Sequence, residues 1–318
     1  MSERRVVVVA SLNVDFTVSS PRLPGTGETI LGSAFSTSQG GKGGNQAVAL
    51  ARLGVDTTVI GCVGDDDSGR GYRAALDEEG LFTAHVRTVV GTPTGTALIT
   101  VDDAGDNTIV VVPGANSEVS VHDVDAAAGR IVGAAVTLAQ LETPTAATVH
   151  AFALARDAGS ITVLNPAPAG PDIASILNLT DVLVPNEVEF EQILGTAPAT
   201  DEEILAVCAS VFAQGVRWVV VTLGDRGSAL VGRDSVIPIA ALPVRAIDTT
   251  AAGDSFVAGL VSVIASQRSL DQETMIAACR HGARVAAWSV QRSGAQPSLP
   301  RLEQLGAVSG APASAGAV

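Results

Sequence analysis

The stretch Asp248-Thr-Thr-Ala-Ala-Gly-Asp254-Ser-Phe256 brings small residues and a carboxylate to the edge of an apolar run. Ala251, Ala252 and Gly253 leave room for a ligand to approach the backbone. The run from Phe256 to Ile264 can continue as a buried helix. The free N–H groups at such a helix start, with the dipole behind them, favour negative charge. A phosphate placed there would share its turn with Asp254. An anion cradle beside a potential general base is suited to moving a phosphoryl group onto a hydroxyl. Taken alone, a Gly-Asp pair at a helix start can equally be a cap.

A second glycine-rich stretch, Gln39-Gly-Gly-Lys-Gly-Gly-Asn45-Gln46-Ala47, also runs into a helical pattern, from Ala47 to Leu53. It is not a Walker A loop, because Gly43 follows Lys42 where Ser or Thr is needed. Its glycines would bring backbone close to a small polar ligand, with Lys42 and Asn45 adding hydrogen bonds; a plain surface loop is the other reading. Asn13 and Asp15, two apart after the first apolar run, point the same way in extended chain and suit a polyhydroxy ligand, or an Asx-turn. Further polar residues punctuate later strand ends: Glu142, Asn165, Asn186 with Glu189, and Thr222 to Gly227. In a parallel sheet such residues line one rim, where ligands bind.

These residues need a frame. Val6 to Ala10 reads as a buried central strand. From Thr57 onward strands and helices alternate, with strands at 57–61, 86–90, 134–140, 161–164, 181–184 and 218–223. Helices are expected at 67–79, 121–130, 144–155, 188–194, 201–213, 256–266 and 272–290. The pattern predicts an α/β fold with a mostly parallel central sheet flanked by helices. Residues 231–239 add antiparallel strands at one edge. Weakly alternating segments within about 14–38 and 91–113, including a hairpin turning at Asp102 to Asp106, predict a small β-sheet lid outside the core. Its exposed edges and faces call for cover, which suggests a homodimer. One domain over 1–304 is expected, followed by a disordered tail at 305–318, rich in Gly, Ala, Ser and Pro.

Composition narrows the partners. The net charge of −14 disfavours nucleic acid and anionic membranes, so any site for an anionic nucleotide must make its own positive field from amides and a metal. Cys62, Cys208 and Cys279 lack metal or redox spacing and read as reduced thiols in a cytoplasmic protein. The apolar part of the N-terminus is too short for a signal peptide, and no run is long enough to span a membrane. No Gly-x-Gly-x-x-Gly follows the first strand, which disfavours a dinucleotide-binding dehydrogenase.

Gly40-Gly-Lys-Gly-Gly-Asn-Gln-Ala47 resembles the first signature of the PfkB carbohydrate kinase family, and Asp248 to Phe256 its second. Asn13-Val-Asp15, Leu164-Asn-Pro-Ala-Pro168, Pro185-Asn-Glu-Val-Glu189, Thr222 to Gly227 and Gly294-Ala-Gln-Pro-Ser298 are similar to family segments in the same order, over roughly residues 5–304. The resemblance implies a ribokinase-like α/β fold with a lid that also serves a dimer, and transfer of the ATP γ-phosphoryl to the 5-hydroxyl of D-ribose or a similar small sugar.

The resemblance also implies roles. Asp254 would be the general base, and the amides of Ala251, Ala252 and Gly253 the anion hole. Asn13, Asp15, Gly41, Lys42, Gly43, Gly44, Asn45 and Glu142 would hold sugar hydroxyls. Asn186 and Glu189 would place Mg²⁺ near the ATP phosphates. Thr222, Leu223, Gly224, Asp225, Arg226, Gly227 and Gly253 would line the nucleotide. Ala283 stands where several members set an Asn against adenine, with His281 nearby. Asp248, Thr250, Ser289, Arg292, Gly294 and Ser298 would surround K⁺, Ser289 and Arg292 only through main-chain carbonyls. Another sugar or nucleoside kinase of the family, or a sugar-binding sensor that has lost catalysis, are the competing expectations.

Overall fold

The computed structural model describes residues 4–195 and 200–306. The described strands are β1 (Val6–Val9), β2 (Asn13–Ser20), β3 (Ala34–Gly40), β4 (Thr57–Gly64), β5 (Phe82–Val89), β6 (Gly95–Asp102), β7 (Asn107–Val112), β8 (Val136–Ala139), β9 (Ile161–Leu164), β10 (Val182–Leu183), β11 (Trp218–Thr222), β12 (Ser228–Val231) and β13 (Val236–Ile239). They form a nine-stranded sheet, ordered β13-β12-β11-β10-β9-β8-β1-β4-β5, and a separate four-stranded sheet, β3-β2-β6-β7. The large sheet is parallel from β5 through to β11, and β12 and β13 close one edge antiparallel.

The valines of β1 explain the centre of the fold. Val6 and Val8 belong to one core layer and Val7 and Val9 to the other, all fully buried. A strand apolar on both faces needs helices on both sides. The helices Lys42–Arg52, Ala252–Gln267 and Gln272–Ser289 contribute to the first layer, and Thr145–Asp157 and Asp201–Ala213 to the second. The chain adds β4 and β5 on one side of β1 and then β8 to β11 on the other, so the order reverses between β1 and β8. A crevice opens outside the carboxyl ends of strands at such a reversal.

Several boundaries differ from those read in the sequence. The helix after the first glycine stretch begins at Lys42, not Ala47, and takes Gly43 and Gly44 into its first turns. A Cβ on Gly43 would lie 2.4 Å from the Ala10 Cα, and one on Gly44 would lie 2.0 Å from the Tyr72 hydroxyl. Gly43 lets the helix seat against the chain just past β1, and Gly44 makes room for Tyr72. The expected helix at 121–130 is two short ones, Val121–Ala126 and Ala128–Val132, the first closed by a capping box between Ser120 and Asp123. The tail expectation lies, from residue 307, outside the described residues; just before it Leu302–Leu305 forms a helical turn with Leu305 buried.

The small sheet carries Asn13 and Asp15 on β2, pairing with β3 and β6. Beyond those residues it exposes Phe35, Leu98, Ile109, Val110, Val111 and Val112. Among the described residues no helix is long and apolar enough to cross a membrane.

Candidate functional site

Asp254 enters the site in the first turn of the Ala252–Gln267 helix, 8% exposed. Its Oδ2 accepts from Asn45 Nδ2 at 2.8 Å and its Oδ1 from Gln46 Nε2 at 2.9 Å. Burial pushes its pKa above the usual carboxylate range, against the pull of Lys42 and of those two amides. The Lys42 ammonium loses solvation in the interior, but the charges of Asp254, Glu142 and Glu189 hold its pKa above the ordinary value.

A cavity of about 240 Å³ lies at this helix start, lined by Lys42, Asn186, Glu189, Thr222, Ala251, Ala252, Gly253 and Asp254 among others. Ala251 sits at φ +58°, in the left-handed region. That conformation costs a non-glycine residue on the order of 1–3 kcal/mol, and such strain clusters at functional sites. Of the amides expected to receive an anion, Ala252 already donates to the Thr249 carbonyl at 3.1 Å. Among the described residues, the N–H groups of Ala251, Gly253 and Asp254 meet no acceptor within the chain. The unpaired amides at this helix start therefore extend one residue further into the helix than the sequence suggested.

The residues expected to hold a sugar converge from three places: β2, the start of the Lys42–Arg52 helix and the segment after β8. Asn13 is buried on β2, its Oδ1 accepting from Asn116 Nδ2 at 2.7 Å. Asp15 is buried two residues on, and burial, reinforced by the charges of Glu142 and Asp254, pushes its pKa up to about 7. Glu142 accepts from the Ser11 hydroxyl at 2.6 Å and from the Lys42 amide at 3.0 Å. The Gly43 amide donates to Ser11 Oγ and the Gly44 amide to the Ser11 carbonyl. These loop amides are spent on folding the helix start, so they are not free for a ligand. Asn45 is different: its Oδ1 is buried without a partner, an acceptor waiting for a donor. Lys42, expected among the sugar contacts, lines the 240 Å³ cavity together with Asp254. Asn13 and Glu142 line a second cavity of about 400 Å³, walled by Val111, Pro113, Leu141 and Pro144.

Asn186 and Glu189 form the capping box of the Glu187–Leu194 helix: Glu189 N donates to Asn186 Oδ1 at 2.8 Å, and Asn186 N to Glu189 Oε2 at 2.9 Å. Burial raises the Glu189 pKa, opposed by the Asn186 amide and Lys42. Thr222 reaches the anion-side cavity, while Leu223 through Gly227 form a tight turn beyond β11, with Leu223 N donating to Gly227 O. Arg226 pairs with Glu187. Ala283 and His281 line a third cavity, of about 700 Å³, with Pro238, Ile239, Leu242, Arg280 and Arg284. Burial, and then Arg284, keep the His281 imidazole below its usual pKa.

Among the described residues no three His, Cys, Asp or Glu side chains converge to hold a metal. A divalent ion here would depend on phosphate and water ligands as well as Glu189. The segments named for a monovalent ion do come together. Asp248 accepts from the Thr250 amide and from the Gly294 amide, both at 2.8 Å, and Ile247 N donates to Val290 O. Although burial opposes it, these bonds hold Asp248 below the usual carboxylate range. Ser289 Oγ and Ser298 Oγ lie 2.7 Å apart and buried. The Arg292 guanidinium stacks over Trp288, 3.8 Å from the ring centroid. One carboxylate among hydroxyls and carbonyls is a donor set for a hard cation.

Sequence reading missed the polar residues behind these groups. Gln46 donates to both Asp254 and Asn165, each at 2.9 Å, and accepts from Gln140 at 2.6 Å. Asn116 fixes Asn13 across 103 positions of chain. Gln46 lay inside the quoted glycine stretch and Asn165 at a strand end, so both were visible; Gln140 and Asn116 carried no local signal.

A family model described as pfkB family carbohydrate kinase matches residues 3–302. The chain is 38% identical to a ribokinase of Haemophilus influenzae over 302 residues, covering 95% of this chain and 97% of that protein. The structure of a ribokinase from Giardia lamblia superposes with a TM-score of 0.88 at 30% identity, covering 95% of this chain and 98% of the other. An Arabidopsis thaliana ribokinase solved with ribose and ATP superposes with a TM-score of 0.84 at 32% identity, covering 96% and 98%.

Proposed function

The chain belongs to the pfkB family of carbohydrate kinases, and on that premise we propose that it transfers the γ-phosphoryl group of ATP to O5 of D-ribose. The observation that carries the reading is the buried Asp254 carboxylate at a helix mouth with unpaired amides, facing Lys42. The Arabidopsis relative solved with ribose and ATP supports the choice of substrates.

In this mechanism Asp254, ionised, accepts the proton of the attacking hydroxyl as the bond to phosphorus forms. Asn45 and Gln46 hold both carboxylate oxygens and so aim the base. The amides of Ala251, Gly253 and Asp254 and the Lys42 ammonium meet the charge on the moving phosphoryl group. Asn13, Asp15, Asn45 and Glu142 hold the sugar. Asn45 Oδ1 takes a sugar hydroxyl as its missing donor. Thr222 to Gly227 and the cavity at Ala283 and His281 receive the nucleotide. Mg²⁺ bound with ATP would neutralise charge on the β and γ oxygens, with Glu189 and Asn186 holding its waters. K⁺ beside Asp248 would join the 248–250 and 289–298 segments and steady the amides that follow. The small sheet acts as a lid that excludes water, and its apolar face pairs with a second copy of the chain.

An ADP-release assay over ribose, deoxyribose, fructose and adenosine, with K⁺ or Na⁺ as the monovalent ion, tests this. Ribose is expected to give the highest kcat/KM, with K⁺ raising it, and the product should carry phosphate at O5. Ribose binding without ADP release would favour a sensor instead. A preference for another sugar or for adenosine would move the reading elsewhere in the family.

A further inference from the structure

The sugar-side helix and the 290–298 loop are joined by a buried hydrogen-bonded path that lies outside the chemistry described above. Tyr72, on the Asp67–Glu78 helix, is 1% exposed. Its hydroxyl donates to the Gly40 carbonyl at 2.6 Å and accepts from Gln296 Nε2 at 3.0 Å. Gly40 ends β3 and pairs with Asn13, and it opens the turn that delivers Lys42 and Asn45. The same hydroxyl fills the space a Gly44 side chain would take. Gln296 in turn follows Gly294, the Asp248 partner, and precedes Ser298, the Ser289 partner. Its own carbonyl accepts from Arg52 Nη1 at 2.6 Å, and Leu299 O accepts from the same nitrogen at 2.9 Å. The Lys42–Arg52 helix is thus held at both ends to one short segment: at its start through Tyr72, at its end through Arg52.

We propose that Tyr72 is a positioning residue that ties the sugar-binding turn at Gly40–Asn45 to the Asp248–Gly294 cation loop, so that a monovalent ion in that loop tightens sugar binding as well as ordering the anion site. The physical reason is saturation. The Tyr72 hydroxyl has one donor and uses it on Gly40, and it accepts from Gln296, both bonds being buried. A shift of the 294–298 turn cannot occur without breaking a buried bond or moving Gly40 with it. The assignment rests on the sugar-kinase reading and on the cation loop, and its test separates the two.

Tyr72→Phe keeps the ring and removes only the hydroxyl. Ribose binding is measured by calorimetry without nucleotide, in potassium chloride and in sodium chloride of equal ionic strength. Amide exchange of the peptide covering 38–48 is followed in the same buffers. Wild-type protein is expected to bind ribose several-fold more tightly in potassium. Y72F should bind about tenfold more weakly, the effect of stranding the buried Gly40 carbonyl together with the Gln296 amide, with a flattened potassium response, faster exchange confined to that peptide, and kcat within a few-fold of wild type. Gln296→Leu leaves the Tyr72–Gly40 bond, so it should keep the sodium-form affinity and lose only the potassium response. If Y72F melts lower but keeps both the ribose affinity and the potassium response, Tyr72 is merely structural and the proposal fails. If wild-type protein binds no ribose, the substrate reading fails, and the exchange of peptide 38–48 still decides the clamp: exchange unaffected by potassium and by Y72F overturns it.

Discussion

Replacing Asp254 by Asn is the most exacting test of the transfer chemistry, because it changes one function while the surroundings stay in place. The carboxylate is 8% exposed and takes two amide donors, Asn45 at 2.8 Å and Gln46 at 2.9 Å. An Asn there offers one acceptor oxygen in place of two. Gln46 still reaches Asn165 at 2.9 Å, so the unmet demand is confined to one bond, worth on the order of 1–3 kcal/mol. Removing a buried charge offsets part of that. The variant should therefore fold, with a modest change in Tm, and should bind ribose within about tenfold of wild type. Catalysis should suffer far more: loss of a general base lowers kcat by about 10² to 10⁴, or roughly 3–5 kcal/mol of barrier. ADP release at saturating ribose and ATP reads kcat, calorimetry reads ribose affinity, and a thermal melt reports integrity. A folded D254N protein that keeps kcat within a few-fold of wild type would remove Asp254 from the proton-accepting role.

Other perturbations follow from the same cluster. Burial raises the Asp254 pKa and Lys42 opposes it, so Lys42→Met should move the acid limb of the kcat/KM profile to higher pH as well as lower its plateau; a limb that stays put or moves down contradicts the pairing. Asp15 is protonated more readily folded, at about 7, than unfolded, at 3.8, so the native state binds the extra proton between those values and stability falls as pH rises through them. Asp15→Asn should remove that slope, at most about 1.4 kcal/mol per pH unit, and parallel wild-type and variant Tm curves would refute it. Val110→Glu, on the exposed apolar face of the small sheet, should shift the proposed dimer to monomer in sedimentation; wild-type protein that sediments as a monomer, or a dimer that the variant keeps, would refute pairing through this face.

Much of this arrangement was legible because its signals are local. The two-sided apolar run at Val6–Val9 and the hairpin turn at 102–106 depend on neighbours in sequence, and each stands where the pattern put it; the helix expected at 256–266 starts earlier, at Ala252, and takes Ala252 and Gly253 into its first turn. Glycine was the misleading letter. Gly43 and Gly44 read as loop, yet they start a helix, because what they serve is close approach to Ala10 and Tyr72, which lie far away in sequence. The polar scaffold of the base was hidden for the same reason. Gln46 and Asp254 are 208 positions apart, and nothing near either residue announces the other. Periodicity finds surfaces; it does not find pairs.

The charge balance of the cluster leads to a last prediction. Lys42 is a cation among Asp254, Glu142 and Glu189, whose fields all act on it, and the charges of Glu142 and Asp254 act on Asp15. The site is therefore acidic on balance, within a chain of net charge −14. The amides at the helix mouth contribute only partial positive charge. A nucleoside triphosphate arriving alone would add negative charge to a buried region where desolvation already raises the pKa values of Asp254, Asp15 and Glu189. On the proposed mechanism, a divalent ion would then act in binding as well as in the chemical step. Calorimetry with a non-hydrolysable ATP analogue should show affinity falling by at least about tenfold when Mg²⁺ is replaced by chelator, with ribose affinity nearly unchanged. Glu189→Gln should shrink that difference, because it removes one of the charges the ion offsets and one of the groups that holds its water. Equal nucleotide affinity with and without the ion would mean that Lys42 and the helix amides suffice, and that the acidity of the cluster is screened by something other than the metal.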